Sequence, residues 1–243
     1  MISKLDSEAL KGRLGFSNSF GVGSRGKAGG LCLFWKEEKV SFNLVSYSQN
    51  HICGDVQDGD RVWRFIGIYG WPEGENKHKT WTLMRHLAEG VEIPIVFGGD
   101  FNEILGYEEQ EGGAGTERKE MGSFREVVDD LGLRDMGYRG SWYTWERGLT
   151  PATCKRERLD RVLAVPAWLT LYPNTKVEHL IRYKSDHVAM VVRTQDRRKG
   201  KNSREKKGFK FETSWLLDEE IVVCMLSSIN VSGIFLEMMY LIM

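Results

Sequence analysis

The chain has 243 residues, 41% of them hydrophobic and 11% aromatic, enough for one substantial core. Its 34 Lys and Arg balance 34 Asp and Glu to a formal net charge of zero, so no global field draws it to nucleic acid and any such binding must be local. The four cysteines (Cys32, Cys53, Cys154, Cys224) form neither a C-x-x-C pair nor a cluster with histidine at zinc spacing, which argues against a structural zinc site and for reduced, intracellular thiols.

Met1 to Arg13 is charged and lacks an apolar h-region, so no secretory signal is expected there. Leu31 to Trp35, Val40 to Tyr47, His51 to Val56 and Arg61 to Tyr69 are rich in β-branched and aromatic residues and separated by polar breaks, a run of strands. In the last, Trp63, Phe65 and Tyr69 fall on one face and Val62, Ile66 and Ile68 on the other, the pattern of a strand covered on both sides. Thr80 to Glu89 then places Trp81, Met84, Leu87 and Ala88 at helical spacing before Gly90. An apolar strand, Ile93 to Phe97, runs through Gly98 and Gly99 into Asp100-Phe101-Asn102. Residues at i and i+2 of extended chain point the same way, so a carboxylate and a carboxamide leave one strand end together.

The acidic, Gly-rich run from Gly106 to Gly115 reads as a loop, and Met121, Phe124, Val128 and Leu131 line a second helix capped by Gly132. Ser141-Trp142-Tyr143-Thr144-Trp145 is an aromatic run whose rings read as core, followed by Arg158-Leu159-Asp160-Arg161. Val177 to Ile181 and Val188 to Val192 flank Ser185-Asp186-His187. Taken singly, each polar group has a bland reading: Gly-Asp as a strand-ending turn, Tyr69 as a core residue, Asp160 as an ion pair with its flanking arginines, His187 as structural. Strands interrupted by single helices give an α/β fold of mixed sheets rather than a doubly wound one.

Together, Gly-Asp-x-Asn, Arg-Leu-Asp and Ser-Asp-His resemble the endonuclease/exonuclease/phosphatase superfamily. Gly29-Gly30-Leu31 and the segment Phe211-Glu212-Thr213-Ser214-Trp215 narrow the resemblance to the endonuclease domain of plant LINE-type, non-LTR retrotransposons. The resemblance implies an α/β/β/α sandwich of two facing sheets with outer helices, and hydrolysis of a phosphodiester with Mg²⁺ (or Mn²⁺) and no organic cofactor. It implies that Asp100 aligns or deprotonates the attacking water, Asn102 donates to the phosphate, Tyr69 contacts it, and Asp160 orients the His187 imidazole against the scissile phosphate. Asp186 is the implied metal ligand. DNA is the implied substrate, and the implied location is intracellular, nuclear for an active enzyme.

The sequence departs from the family after Tyr69, where Gly70-Trp71-Pro72 replaces the usual Ala-Pro or Val-Pro-Asn. Met1-Ile2-Ser3-Lys4 falls where Met-Glu-Thr-Lys is expected, so that Ile2 replaces a metal-binding Glu, and about thirty residues with the first strand are expected to be missing before it. Residues 1–192 form the expected domain. Residues 193–210 carry nine Lys and Arg and read as a basic linker, with DNA or RNA contact as the alternative. Residues 211–220 start a connector toward a reverse transcriptase. Residues 221–243 turn strongly apolar and are expected to be a truncated or frame-shifted tail rather than a membrane span. The alternatives to a DNA-nicking hydrolase are an inert remnant that at most binds nucleic acid, and a phosphoinositide or sphingolipid phosphoesterase.

Overall fold

A computed structural model describes residues 11–12, 15–23, 30–112, 119–148, 150, 153–182, 185–194, 233–236 and 239–242. Ile2, most of the linker and residues 211–220 lie outside them.

One sheet holds six strands: β1 (Asn18–Val22), β2 (Leu31–Trp35), β12 (Lys176–His179), β13 (Met190–Arg193), β14 (Gly233–Leu236) and β15 (Met239–Ile242), in the order β1-β2-β15-β14-β13-β12. A second holds β3 (Ser41–Ser48), β4 (His51–Asp58), β5 (Arg61–Tyr69), β6 (Ile95–Asp100), β8 (Arg134–Asp135) and β11 (Asp160–Ala164), in the order β3-β4-β5-β6-β11-β8. A small third sheet joins β7 (Gln110–Glu111), β9 (Trp145–Arg147) and β10 (Lys155–Glu157). Leu31, Leu33, Val177, Met190 and Val192 of the first sheet pack against Ile52, Val56, Trp63, Phe65, Val96 and Val162 of the second, so the two face one another across an apolar core.

The alternation of β5 works as the sequence indicates: Trp63 and Phe65 enter the core between the sheets, while Ile66 and Ile68 enter a second core on the other side. Val62 is the exception, 42% exposed near the strand start. That second core is covered by α1 (His78–Ala88) and α2 (Lys119–Asp130) through Trp81, Met84, Leu87, Phe124, Val127 and Val128. Trp81 stacks on Phe124, ring centroids 4.6 Å apart. Gly132 ends α2 with φ +60°; its N–H bonds Asp129 O and the Leu133 N–H bonds Val128 O, a Schellman motif that satisfies two terminal carbonyls. Pro166 starts the short α3 (Pro166–Leu171), which drops Trp168 into the inter-sheet core. Among the described residues, helices thus cover the outer face of the second sheet; none of them shows a layer over the first.

Some expected boundaries shift. Of the aromatic run Ser141 to Trp145 only Trp145 belongs to a strand, because Gly140 turns the chain at φ +104° and the Ser141 hydroxyl bonds Tyr143 O. The run from Gly106 opens with a 3-10 turn at Tyr107–Glu109 and then β7. Arg193, placed in the linker by composition, is the last residue of β13, its Nε bonded to Glu178 Oε2 at 3.2 Å. Within residues 221–243, β14 runs parallel to β13, and β15 antiparallel to β2. Two strand edges that would otherwise be open are thereby paired. No helix among the described residues is long and apolar enough to cross a membrane.

Candidate active site

Three neighbouring strands end together. In register, Tyr69 of β5 lies beside Asp100 of β6, and Asp100 beside Asp160 of β11, so a phenol and two carboxylates stand in a row at one end of the second sheet. β6 can lie this close to β5 because Gly99, at φ +149°, has no side chain: a Cβ there would meet Ile68 O at 1.9 Å. The histidine arrives from the other sheet. The segment after β12 is pinned to the start of β9 by Glu146 N–H to Asp186 O (2.8 Å) and Val188 N–H to Thr144 O (2.8 Å), and His187 forms a bridge with Trp145. Its Nδ1 donates to Asp160 Oδ2 at 2.8 Å, and its Nε2 lies 3.9 Å from Asp100 Oδ2. The fully buried Thr144 accepts the Leu159 and Asp160 N–H groups on its hydroxyl, both at 2.9 Å, which fixes the end of β11 where the carboxylate is needed.

Burial and charge act against one another here. Burial raises the Asp100 pKa to about 7, the His187 charge opposing it and the Asp160 charge adding to it. For His187 burial works to lower the pKa, yet the charge and hydrogen bond of Asp160, helped by Asp100 and Asp186, raise it to about 10. The imidazole is therefore a cation at neutral pH, and the carboxylate beneath it is poised to exchange a proton. Burial, and after it the charge of Asp100, raises the Tyr69 pKa, so the phenol keeps its proton and can donate.

Asn102 follows Asp100 in a tight turn. Its N–H bonds Asp100 Oδ1 and its Nδ2 bonds Gly70 O, each at 2.8 Å. Asn50 holds Tyr69 from the other side, donating from Nδ2 to Tyr69 O at 2.7 Å and accepting the Tyr69 N–H on its own carbonyl at 2.9 Å. Asp186 is exposed, and its Oδ2 accepts the Trp145 Nε1–H at 3.2 Å. Tyr69, Asn102, Asp186 and Trp145 line a cleft of about 850 Å³ whose other walls include Lys77, Lys119, Arg147 and Lys155. The structure brings Tyr69, Asp100, Asn102, Asp160, Asp186 and His187 to one place.

The ligand atoms of Asp100, Asp160 and His187 all lie within 4.8 Å of one another. Asp160 and His187 nevertheless commit theirs to each other, and a protonated imidazole ligates nothing. Asp186 fits a hard cation better: an exposed carboxylate at a solvent-filled cleft matches the preference of Mg²⁺ for one or two carboxylates, waters and phosphate oxygens.

The arginines flanking Asp160 do not pair with it. Arg158 bonds Glu109 Oε1 at 2.9 Å and Asp135 Oδ1 at 2.8 Å, while the fully buried Arg161 bonds both Glu109 oxygens and Asp135 Oδ2. Sequence reasoning gave no role to Glu109, Asp135, Asn50, Lys77 or Glu103, and singled out the run holding Thr144 without assigning that residue; Glu109, Asp135, Thr144 and Asn50 hold the site from behind, while Lys77 and Glu103 line the cleft.

A profile described as the Endonuclease/Exonuclease/phosphatase family matches residues 3–187. Among solved structures, the endonuclease domain of TRAS1, a telomere-specific non-LTR retrotransposon, superposes with a TM-score of 0.50 at 14% identity, over 70% of this chain and 76% of that one. A D. rerio TDP2 humanized by 14 mutations superposes with a TM-score of 0.50 at 16% identity, over 77% and 80%. At such identities the likeness is one of fold. No curated protein matches the chain.

Proposed function

The chain belongs to the endonuclease/exonuclease/phosphatase family, and from that premise we propose that it is a Mg²⁺-dependent phosphodiesterase that nicks DNA, of plant LINE retrotransposon descent and acting in the nucleus. One observation carries the reading: the Asp160–His187 pair at 2.8 Å, which sets the imidazole between Asp160 and the buried Asp100. Phosphodiester hydrolysis needs a base for water, a cation against the non-bridging oxygens and a fixed approach, and electrostatics with positioning supply most of the rate. Asp100, its pKa near 7, takes the proton from water. His187, held charged by Asp160, meets the developing negative charge through Nε2, while the Asn102 carboxamide and the Tyr69 hydroxyl donate to the phosphate. Asp186 would hold the divalent cation, which when bound neutralises phosphate charge and makes water more acidic. Trp145 in the cleft wall offers a stacking face for a base, and Lys119 and Arg147 offer phosphate contacts; Lys77 and Lys155 are paired with Glu103 and Glu157, and Glu120 and Asp186 complete a lining of four cations and four carboxylates, so the cleft, like the chain, carries no net charge.

Incubation with supercoiled plasmid tests this. Open circles are expected with Mg²⁺ and none with EDTA. Retarded but intact plasmid, with affinity falling as salt rises, would replace the hydrolase by a nucleic-acid-binding domain. Cleavage of phosphoinositide or sphingomyelin vesicles without plasmid nicking would move the substrate to lipid.

A further inference from the structure

Lys77 stands where the 3-10 turn Gly74–Asn76 passes into α1. Its Nζ donates to the carbonyl of Asn102 at 2.6 Å and to Oε2 of Glu103 at 2.8 Å. The Lys77 and Glu103 side chains are 13% and 1% exposed, so this pair is shielded in a way that surface pairs are not. Glu103 is itself fixed, its Oε1 accepting the Ile104 N–H at 3.0 Å.

Asn102 has φ +53°, the one non-glycine residue among those described with a positive φ. Asparagine tolerates that region better than other side chains do, but a cost of about 1 kcal/mol remains and the surroundings must impose it. The Asp100 carboxylate imposes it from the amide side. Lys77 imposes it from the carbonyl side, across 25 residues of sequence. In extended chain Asn102 would point the way Asp100 does; in the turn it swings to Gly70 and the cleft wall.

We infer that Lys77, with Glu103 as its buried counter-ion, is a positioning residue that keeps Asn102 left-handed so that its carboxamide meets the scissile phosphate. The inference rests on the phosphodiesterase reading for its consequence, though not for its geometry. Lys77 also lines the cleft, so direct phosphate binding is the competing role.

Two readouts separate these. The first is the ¹³Cα and ¹³Cβ shifts of Asn102 in labelled protein, which report its backbone conformation without any activity. Lys77→Met should move them away from left-handed values, and Lys77→Arg should leave them in place. The second is plasmid nicking: turnover should fall about 10²-fold in Lys77→Met, the scale of a misplaced catalytic group, with KM nearly unchanged, and recover in Lys77→Arg. Should Lys77→Met fail to fold, Glu103→Gln, which leaves the lysine but weakens its anchor, should shift Asn102 in the same direction. Unchanged Asn102 shifts in a folded variant would overturn the inference, as would a raised KM at unchanged turnover, the mark of a phosphate binder. If the wild type does not nick, the function falls and the Asn102 shifts still decide the latch.

Discussion

Arg161→Met removes the most buried charge among the described residues. The guanidinium is 0% exposed and makes four strong ties: to both oxygens of Glu109, to Asp135 Oδ2 at 3.0 Å and to the Arg158 carbonyl at 2.8 Å. Methionine keeps much of the volume but leaves Glu109, 5% exposed, with Arg158 and the Leu105 N–H alone. Breaking a buried pair by taking one partner costs about 3–5 kcal/mol, a large share of a total stability of about 5–15 kcal/mol. For a chain of this size that lowers Tm by about 6–20 °C. The pH dependence follows from the same residues. Burial pushes the Glu109 and Asp135 carboxyls up, but the arginines prevail and hold both below their ordinary values. A carboxylate with a depressed folded pKa adds stability above its unfolded pKa of about 4 and loses it as pH falls through the lower folded value. Acid unfolding of the wild type should therefore begin below about pH 4, and in Arg161→Met, where burial meets less opposition, at higher pH. Urea denaturation followed by circular dichroism across pH reads both effects. Arg161→Met combined with Glu109→Leu should regain part of the loss, since an apolar replacement of the whole pair leaves no stranded charge. A folded single variant within about 1 kcal/mol of wild type, with the same acid midpoint, would show that the Arg161 ties carry no stability.

Thr144→Val keeps the side-chain shape but strands the Leu159 and Asp160 amides, so about 1–3 kcal/mol of stability should be lost in urea denaturation and nicking should weaken; full stability would show that the amides find other partners. Leu241→Pro strikes β15 between β2 and β14, where Leu241 is in register with Leu33 and Ile234. It removes a ladder hydrogen bond, so it should cost about 1–3 kcal/mol and remove hydrogen-exchange protection from β2, whereas unchanged protection at Leu33 would detach the tail from the sheet.

The sequence announced the strands well where side chains alternate in kind. The ends of β2 and β5 fall at the residues read from pattern, because each strand is bounded by polar or glycine breaks and filled with aliphatic and aromatic residues. The helix faces were legible for the same reason. What escaped was pairing over distance. Nothing local reveals that Arg158 and Arg161 reach back 49 and 52 residues to Glu109, so Asp160 between two arginines looked like their ion-pair partner. Lys77 and Glu103 belong to the same class, each unremarkable until α1 is laid against the turn after β6. The pairing of the tail lay beyond local reading for a different reason: an apolar run without alternation does not name its partners, and the fold sets β14 beside β13 and β15 beside β2. The six candidate residues were found by motif, and the fold supplies what motifs lack, the register that sets Tyr69, Asp100 and Asp160 side by side.

Whether Asp100 and the Asp160–His187 pair form a hydrolytic centre is read by single-turnover nicking of a labelled DNA duplex with Mg²⁺, by the wild type and by Asp100→Ala and His187→Ala variants of matched stability. The wild type should leave a nicked strand and each variant should lose at least about 10²-fold, the scale of general acid–base and electrostatic contributions. Equal nicking by all three would mean that neither Asp100 nor His187 takes part in the chemistry.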